Sequence, residues 1–171
     1  SINIRLENKV TKDFLHKLAK HLKDSEPQKY DRFFIAYLLP GMKPGAGAWA
    51  TSHFNPELEV LILGNSIEEE KALRQTPKPL SDGLIGEWLD ESPFIGAKYT
   101  LLKRGGKILM LRKFKDGSGR EIEMVEKKQG SYSRFEDKDG DSFGEYYIIG
   151  KNGNLDVYGR SGLVISLQPI K

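Results

Sequence analysis

From Gly86 onward, turn-forming residues recur about every ten positions. They fall at Arg104-Gly105-Gly106, Asp116 to Gly119, Gln129-Gly130, Asp137 to Asp141, Gly150 to Gly153 and Gly159 to Gly162. The runs between them alternate in polarity and carry no helical period. Ile108, Met110 and Phe114 oppose Leu109 and Leu111; Ile122 and Met124 share a face; Tyr147 and Ile149 oppose Tyr146 and Ile148; Leu155 and Val157 flank Asp156; Leu163, Ile165 and Leu167 close the set. Period-two segments with punctuation this regular predict an antiparallel meander of about eight short strands. At roughly seven residues each, such strands span about 22 Å. A meander must also protect its edges, so it is expected to close into a small barrel or a curved sheet.

The first part of the chain reads differently. Ile2, Ile4 and Leu6 alternate as a half-buried strand, and Thr11 is placed to cap a helix whose stripe is Phe14, Leu15, Leu18, Ala19 and Leu22. The near-continuous apolar run Phe33 to Leu39 predicts a central strand covered on both faces. A loop with two prolines and three glycines follows at positions 40–47, then two strands, Ala48 to Phe54 and Leu58 to Leu63, turning at Asn55-Pro56-Glu57. Ser66 can cap a short helix over Ile67 to Arg74. The predicted fold is therefore α+β. A small antiparallel sheet with one helix occupies residues 1–75, a Pro-containing linker residues 76–85, and the meander residues 86–171.

Composition removes several chemistries. Of 171 residues none is cysteine, so disulfides, thiolate catalysis and Cys-ligated metal are excluded. The net charge is only +3 and both halves are close to neutral, which argues against a nucleic-acid partner, because neutralising many phosphates needs a local excess of cations. No run approaches the ~18 apolar residues of a membrane span. The chain starts at Ser1 directly in a strand pattern, which fits removal of an upstream export signal, and with it a periplasmic or extracellular protein, and fits equally an arbitrary chain boundary, so the compartment stays open.

Gly86-Glu87-Trp88 opens the meander, and a G-x-W triplet ahead of up-and-down strands resembles lipocalin-like barrels. The resemblance covers roughly the C-terminal half. It implies that Trp88 closes the base of a barrel whose interior holds a small apolar ligand. Phe114, Met110, Tyr147 and Leu167 are large enough to fill that interior instead, and a filled barrel is the expectation. The first region, from Tyr30-Asp31-Arg32-Phe33 to Trp49-Ala50, is similar to segments of uncharacterised bacterial proteins, a similarity that brings no activity with it.

Trp49, Thr51, His53 and Asn55 follow the alternation of one strand and form, with Trp88, the candidate ligand-binding set. Tryptophan offers contact area, while His and Asn fix orientation by hydrogen bonds. Packing of Trp49 over the helix is the simpler reading. Asp137, Asp139 and Asp141 resemble the first half of a calcium loop, but glycine falls at the fourth position and Ile148 stands where a bidentate glutamate is needed; an acidic turn is the better reading. Gly45-x-Gly47 precedes a strand and cannot build a phosphate-holding helix start. His16 and His21 are five apart, poor spacing for one metal, and neither H-E-x-x-H nor G-x-S-x-G occurs. No cofactor is implied and no catalytic residue emerges. The chain is expected to be a non-catalytic binding or structural module with a protein or other macromolecule as partner. The alternative is a lipocalin-like carrier of a small apolar ligand.

Overall fold

A computed structural model describes residues 1–28, 30–76, 83–92 and 95–170. It divides into two compact units, one of Ser1–Ala72 with Ser92–Ile95, the other of Leu73–Glu91 and Gly96–Lys171. The fold is α+β, a four-stranded sheet with helices followed by a closed eight-stranded barrel.

In the first unit β1 (Ile2–Arg5), β2 (Phe33–Leu38), β3 (Ala50–Phe54) and β4 (Leu58–Ile62) lie in chain order. Helix α1 (Lys12–Ser25) starts where Thr11 Oγ1 accepts the Phe14 N–H at 3.2 Å, satisfying one of the free donors of its first turn. Its Leu15 and Ala19 are fully buried among Phe33, Ile35, Phe54 and Val60, whereas Phe14 stays outside. Because α1 connects β1 to β2, these two strands run parallel, with Ile2 opposite Ile35; β2–β3 and β3–β4 are antiparallel. Strand β2 is covered along the whole of one face and, on the other, only toward Leu38, which is 1% exposed. Phe33, Ile35 and Tyr37 face the helix, and Phe34 on the other face is 41% exposed. Inside, the Tyr37 hydroxyl bonds Ser52 Oγ at 3.0 Å. Helix α2 (Ile67–Gln75) opens with a reciprocal cap: Ser66 Oγ accepts the Glu69 N–H, and Glu69 Oε2 accepts the Ser66 N–H. The expected linker residues Pro77, Lys78, Pro79, Leu80, Ser81 and Asp82 lie outside the described residues.

The barrel consists of β5 (Gly83–Asp90), β6 (Ala97–Arg104), β7 (Lys107–Phe114), β8 (Gly119–Gln129), β9 (Tyr132–Asp137), β10 (Tyr146–Ile149), β11 (Leu155–Gly159) and β12 (Gly162–Pro169). All neighbours are antiparallel, and β12 closes on β5. Strand β5 begins at Gly83, three residues ahead of the G-x-W triplet. Alternate residues point inward and form one packed core, whose bulky members include Trp88, Tyr99, Met110, Phe135, Tyr147 and Leu167. Leu163 departs from the alternation read along β12. Val157 opposes Ile165, Tyr158 opposes Leu163, and Val164 is the extra residue of a bulge. With Ile165 inward, the bulge turns both Leu163 and Val164 outward, where they are 57% and 67% exposed. Among the described residues no helix is long and apolar enough to cross a membrane.

Candidate functional site

The hairpins β6–β7, β8–β9 and β10–β11 form one end of the barrel, where an open recess of about 360 Å³ lies among Ile85, Lys103, Glu126, Tyr132, Phe135 and Ile149, and where Trp88 packs beneath one hairpin. Its Nε1–H donates to the Gly153 carbonyl in the β10–β11 hairpin at 2.7 Å. The two residues of the G-x-W triplet need each other. A Cβ on Gly86 would stand 2.4 Å from Cη2 and 2.5 Å from Cζ2 of the Trp88 indole, so only glycine leaves room for the ring. Trp88 therefore shapes the core and presents no face to a ligand entering from solvent.

The opposite end is plugged by charge. Arg112, inward on β7, lies with its guanidinium carbon 5.2 Å from the Tyr99 ring and 5.5 Å from the Tyr147 ring. Its Nη2 pairs with Glu145 at 2.8 Å, and the same carboxylate oxygen accepts the Tyr147 hydroxyl at 2.9 Å. A void of about 10 Å³ remains between these side chains, Arg120 and Asp137, room for about one water. The sequence carried a usable sign of this plug. Arg112 shares the face of Ile108, Met110 and Phe114, and a cation in an inward register has to find a counter-charge.

Burial pushes the Tyr99 phenol up to about 12, against the pull of the neighbouring Arg112 and with help from Asp90 and Glu145. The folded chain thus holds this proton more tightly than an unfolded chain, whose tyrosines ionise near pH 10. The stabilisation is complete below about pH 10 and declines as pH rises from there to about 12. Alkaline unfolding curves of the chain and of Tyr99→Phe are expected to diverge across that interval, with the wild type losing stability more steeply. Parallel curves would contradict the buried phenol.

In the first unit the candidate residues separate. Trp49 precedes β3 and is fully buried in the helix-facing core, its indole N–H on the Asn65 carbonyl at 2.9 Å. Its backbone joins three segments: its N–H donates to Tyr37, and its carbonyl accepts from Leu63 and Gly64. Asn55 is exposed in the β3–β4 turn, its N–H on the Glu57 carbonyl. Thr51 and His53 remain together on the sheet face turned away from α1. There Thr51 is flanked by Ala36 and Leu61, and His53 by Phe34 and Glu59. The His53 and Phe34 rings meet edge to face at 6.1 Å. With Phe34 41% and Leu61 45% exposed, this face presents apolar side chains around Thr51 and His53, bordered by Glu59 and by Asn3 and Arg5 of β1. His53 hydrogen bonds no carboxylate among the described residues.

Asp137, Asp139 and Asp141 do not converge. Asp137 Oδ1 accepts the Asp139 N–H, and Asp141 Oδ1 accepts the N–H groups of Phe143 and Glu145, contacts that hold the Asp141 carboxyl below its usual range, the Glu145 N–H contributing most. Among the described residues no group of three or more His, Asp or Glu is gathered for a metal ion. Neither protein-family models, nor curated proteins, nor solved structures give a match to this chain.

Proposed function

We propose that this chain is a non-catalytic binding module whose partner is a protein. The observation that carries the reading is where apolar surface is found. Packed side chains occupy the middle of the barrel, between Trp88 and the Arg112–Glu145 pair, and the recess at the hairpin end is open to solvent and rimmed by Lys103 and Glu126. The open face of the four-stranded sheet, by contrast, presents Phe34 and Leu61 to solvent around Thr51 and His53. Exposed apolar side chains beside a His and a Thr, on a rigid sheet, have the composition of an interface centre. A carrier of a small apolar ligand would place that surface inside.

A photo-crosslinking amino acid at position 61, introduced in cells that make the protein, tests this. The expected outcome is one discrete protein adduct, abolished by Phe34→Asp, while a crosslinker at the exposed Lys17 gives none. Absence of a protein adduct at position 61, in a chain shown to be folded, would overturn the reading.

A further inference from the structure

The barrel closes on a short seam. Gln168 and Pro169 of β12 oppose Leu89 and Trp88 of β5, and the Ile170 N–H adds one bond to the Glu87 carbonyl at 2.8 Å. Strand β5 ends at Asp90, so over Gly162–Ser166 the side of β12 facing away from β11 has no ladder partner among the described residues. This free stretch is about 17 Å long at ~3.4 Å per residue. It reads Gly-Leu-Val-Ile-Ser and contains neither a charge nor a proline, the usual guards of an exposed edge.

The surface beside this edge differs from the rest of the barrel wall. Over β7–β9 the outer face is a mosaic of cross-strand ion pairs, including Lys107–Glu123, Lys138–Glu123 and Lys127–Glu136. Over β10–β12 it is more apolar and aromatic, although Asp156, whose carboxylate accepts the Ser166 hydroxyl, also lies there. The bulge sets Leu163 and Val164 side by side, Leu163 opposes Tyr158, and Tyr158 stacks on Tyr146 with ring centres 5.0 Å apart. The Arg134 guanidinium, 3.5 Å from the Tyr146 ring, ends the strip.

We infer that the Gly162–Ser166 edge of β12 receives an extended, apolar segment of the partner protein as an added strand. Main-chain bonds to the free ladder would hold it, and Leu163 and Val164 would contact its side chains. This inference rests on the reading of the chain as a protein-binding module and names the chemistry of one partner segment. A second copy of the chain is the weaker occupant. Two such edges would oppose five residues to five, whereas a stable dimer needs about 20–30 residues a side. An extended peptide needs no more than a ladder of this length.

The test uses the full chain and a displayed library of random nine-residue peptides. Selected peptides are expected to alternate apolar and polar residues, to slow amide exchange at Leu163–Ser166, and to bind at least tenfold more weakly to Leu163→Lys and Val164→Lys chains with unchanged NMR dispersion. Failure to select any peptide, or protection of amides elsewhere, would overturn the inference. So would a dimer in sedimentation that Val164→Lys dissociates, since the occupant would then be a second copy. If the adduct at position 61 forms while these amides stay unprotected, this inference falls and the binding-module reading stands. Loss of that adduct marks the failure of the reading itself.

Discussion

Gly86→Ala is expected to destabilise the barrel by about 3 kcal/mol, a large cost for one added methyl group. Two effects combine. The new Cβ would overlap the Trp88 indole, at 2.4 Å and 2.5 Å from its ring carbons, and overpacking of this kind costs about 1–3 kcal/mol. If the ring moves to escape, its N–H leaves the Gly153 carbonyl, and a buried donor without a partner costs about 1–3 kcal/mol more. Gly83→Ala in the same strand is the control, because nothing lies within 4 Å of a Cβ built there. Denaturant unfolding followed by tryptophan fluorescence checks both variants. Equal stability of the two would contradict the close packing of Gly86 and Trp88.

Lys98→Met is expected to cost about 3–5 kcal/mol, the loss seen when one member of a buried ion pair is removed. Lys98 and Glu87 alternate with the inward Tyr99 and Trp88 and so sit on the outer side of the wall. Even so their side chains are only 4% and 8% exposed, with Nζ and Oε1 at 2.8 Å. Thr100 Oγ1 stands 3.5 Å from the same Glu87 oxygen, the limit of a hydrogen bond. In Lys98→Met/Glu87→Leu the charge is removed from both partners and most of the loss is expected to be recovered, since an apolar pair of similar volume is often neutral or better. Thermal melts of the single and double variants check this. A double variant no more stable than the single one would contradict the charge-based account.

The barrel was legible because turn chemistry and side-chain alternation are local properties. Gly105-Gly106, Gly117 and Gly130 mark the hairpins, and Met110, Tyr147 and Leu155 point inward as their spacing requires. The Thr11 and Ser66 caps were legible for the same reason. What escaped depends on partners distant in sequence. Alternation in Ile2–Arg5 is the same whether its neighbour runs parallel or antiparallel, and only the passage through α1 decides. The run from Phe33 looks two-sided throughout, and at Leu38 it is, but Phe34, as apolar as its neighbours, meets solvent. The bulge at Val164 inserts one residue that no local pattern announces, and it sends Leu163 to the other side. Of the candidate site, Thr51 and His53 share a face as their spacing implied. Trp49 left it because the strand starts at Ala50, two residues later than the expected Ala48, and its indole turns toward Asn65.

The central claim is that the packed core around Trp88 leaves no chamber for an apolar ligand inside the barrel, and that binding belongs to the outer surface. The most direct measurement is a fluorescence titration of the intact chain with a series of long-chain fatty acids and retinoids, reading Trp88 with the buried Trp49 as internal reference. The account predicts no saturable change in emission at any chain length. A one-to-one, saturable quenching that disappears in Trp88→Phe would contradict it.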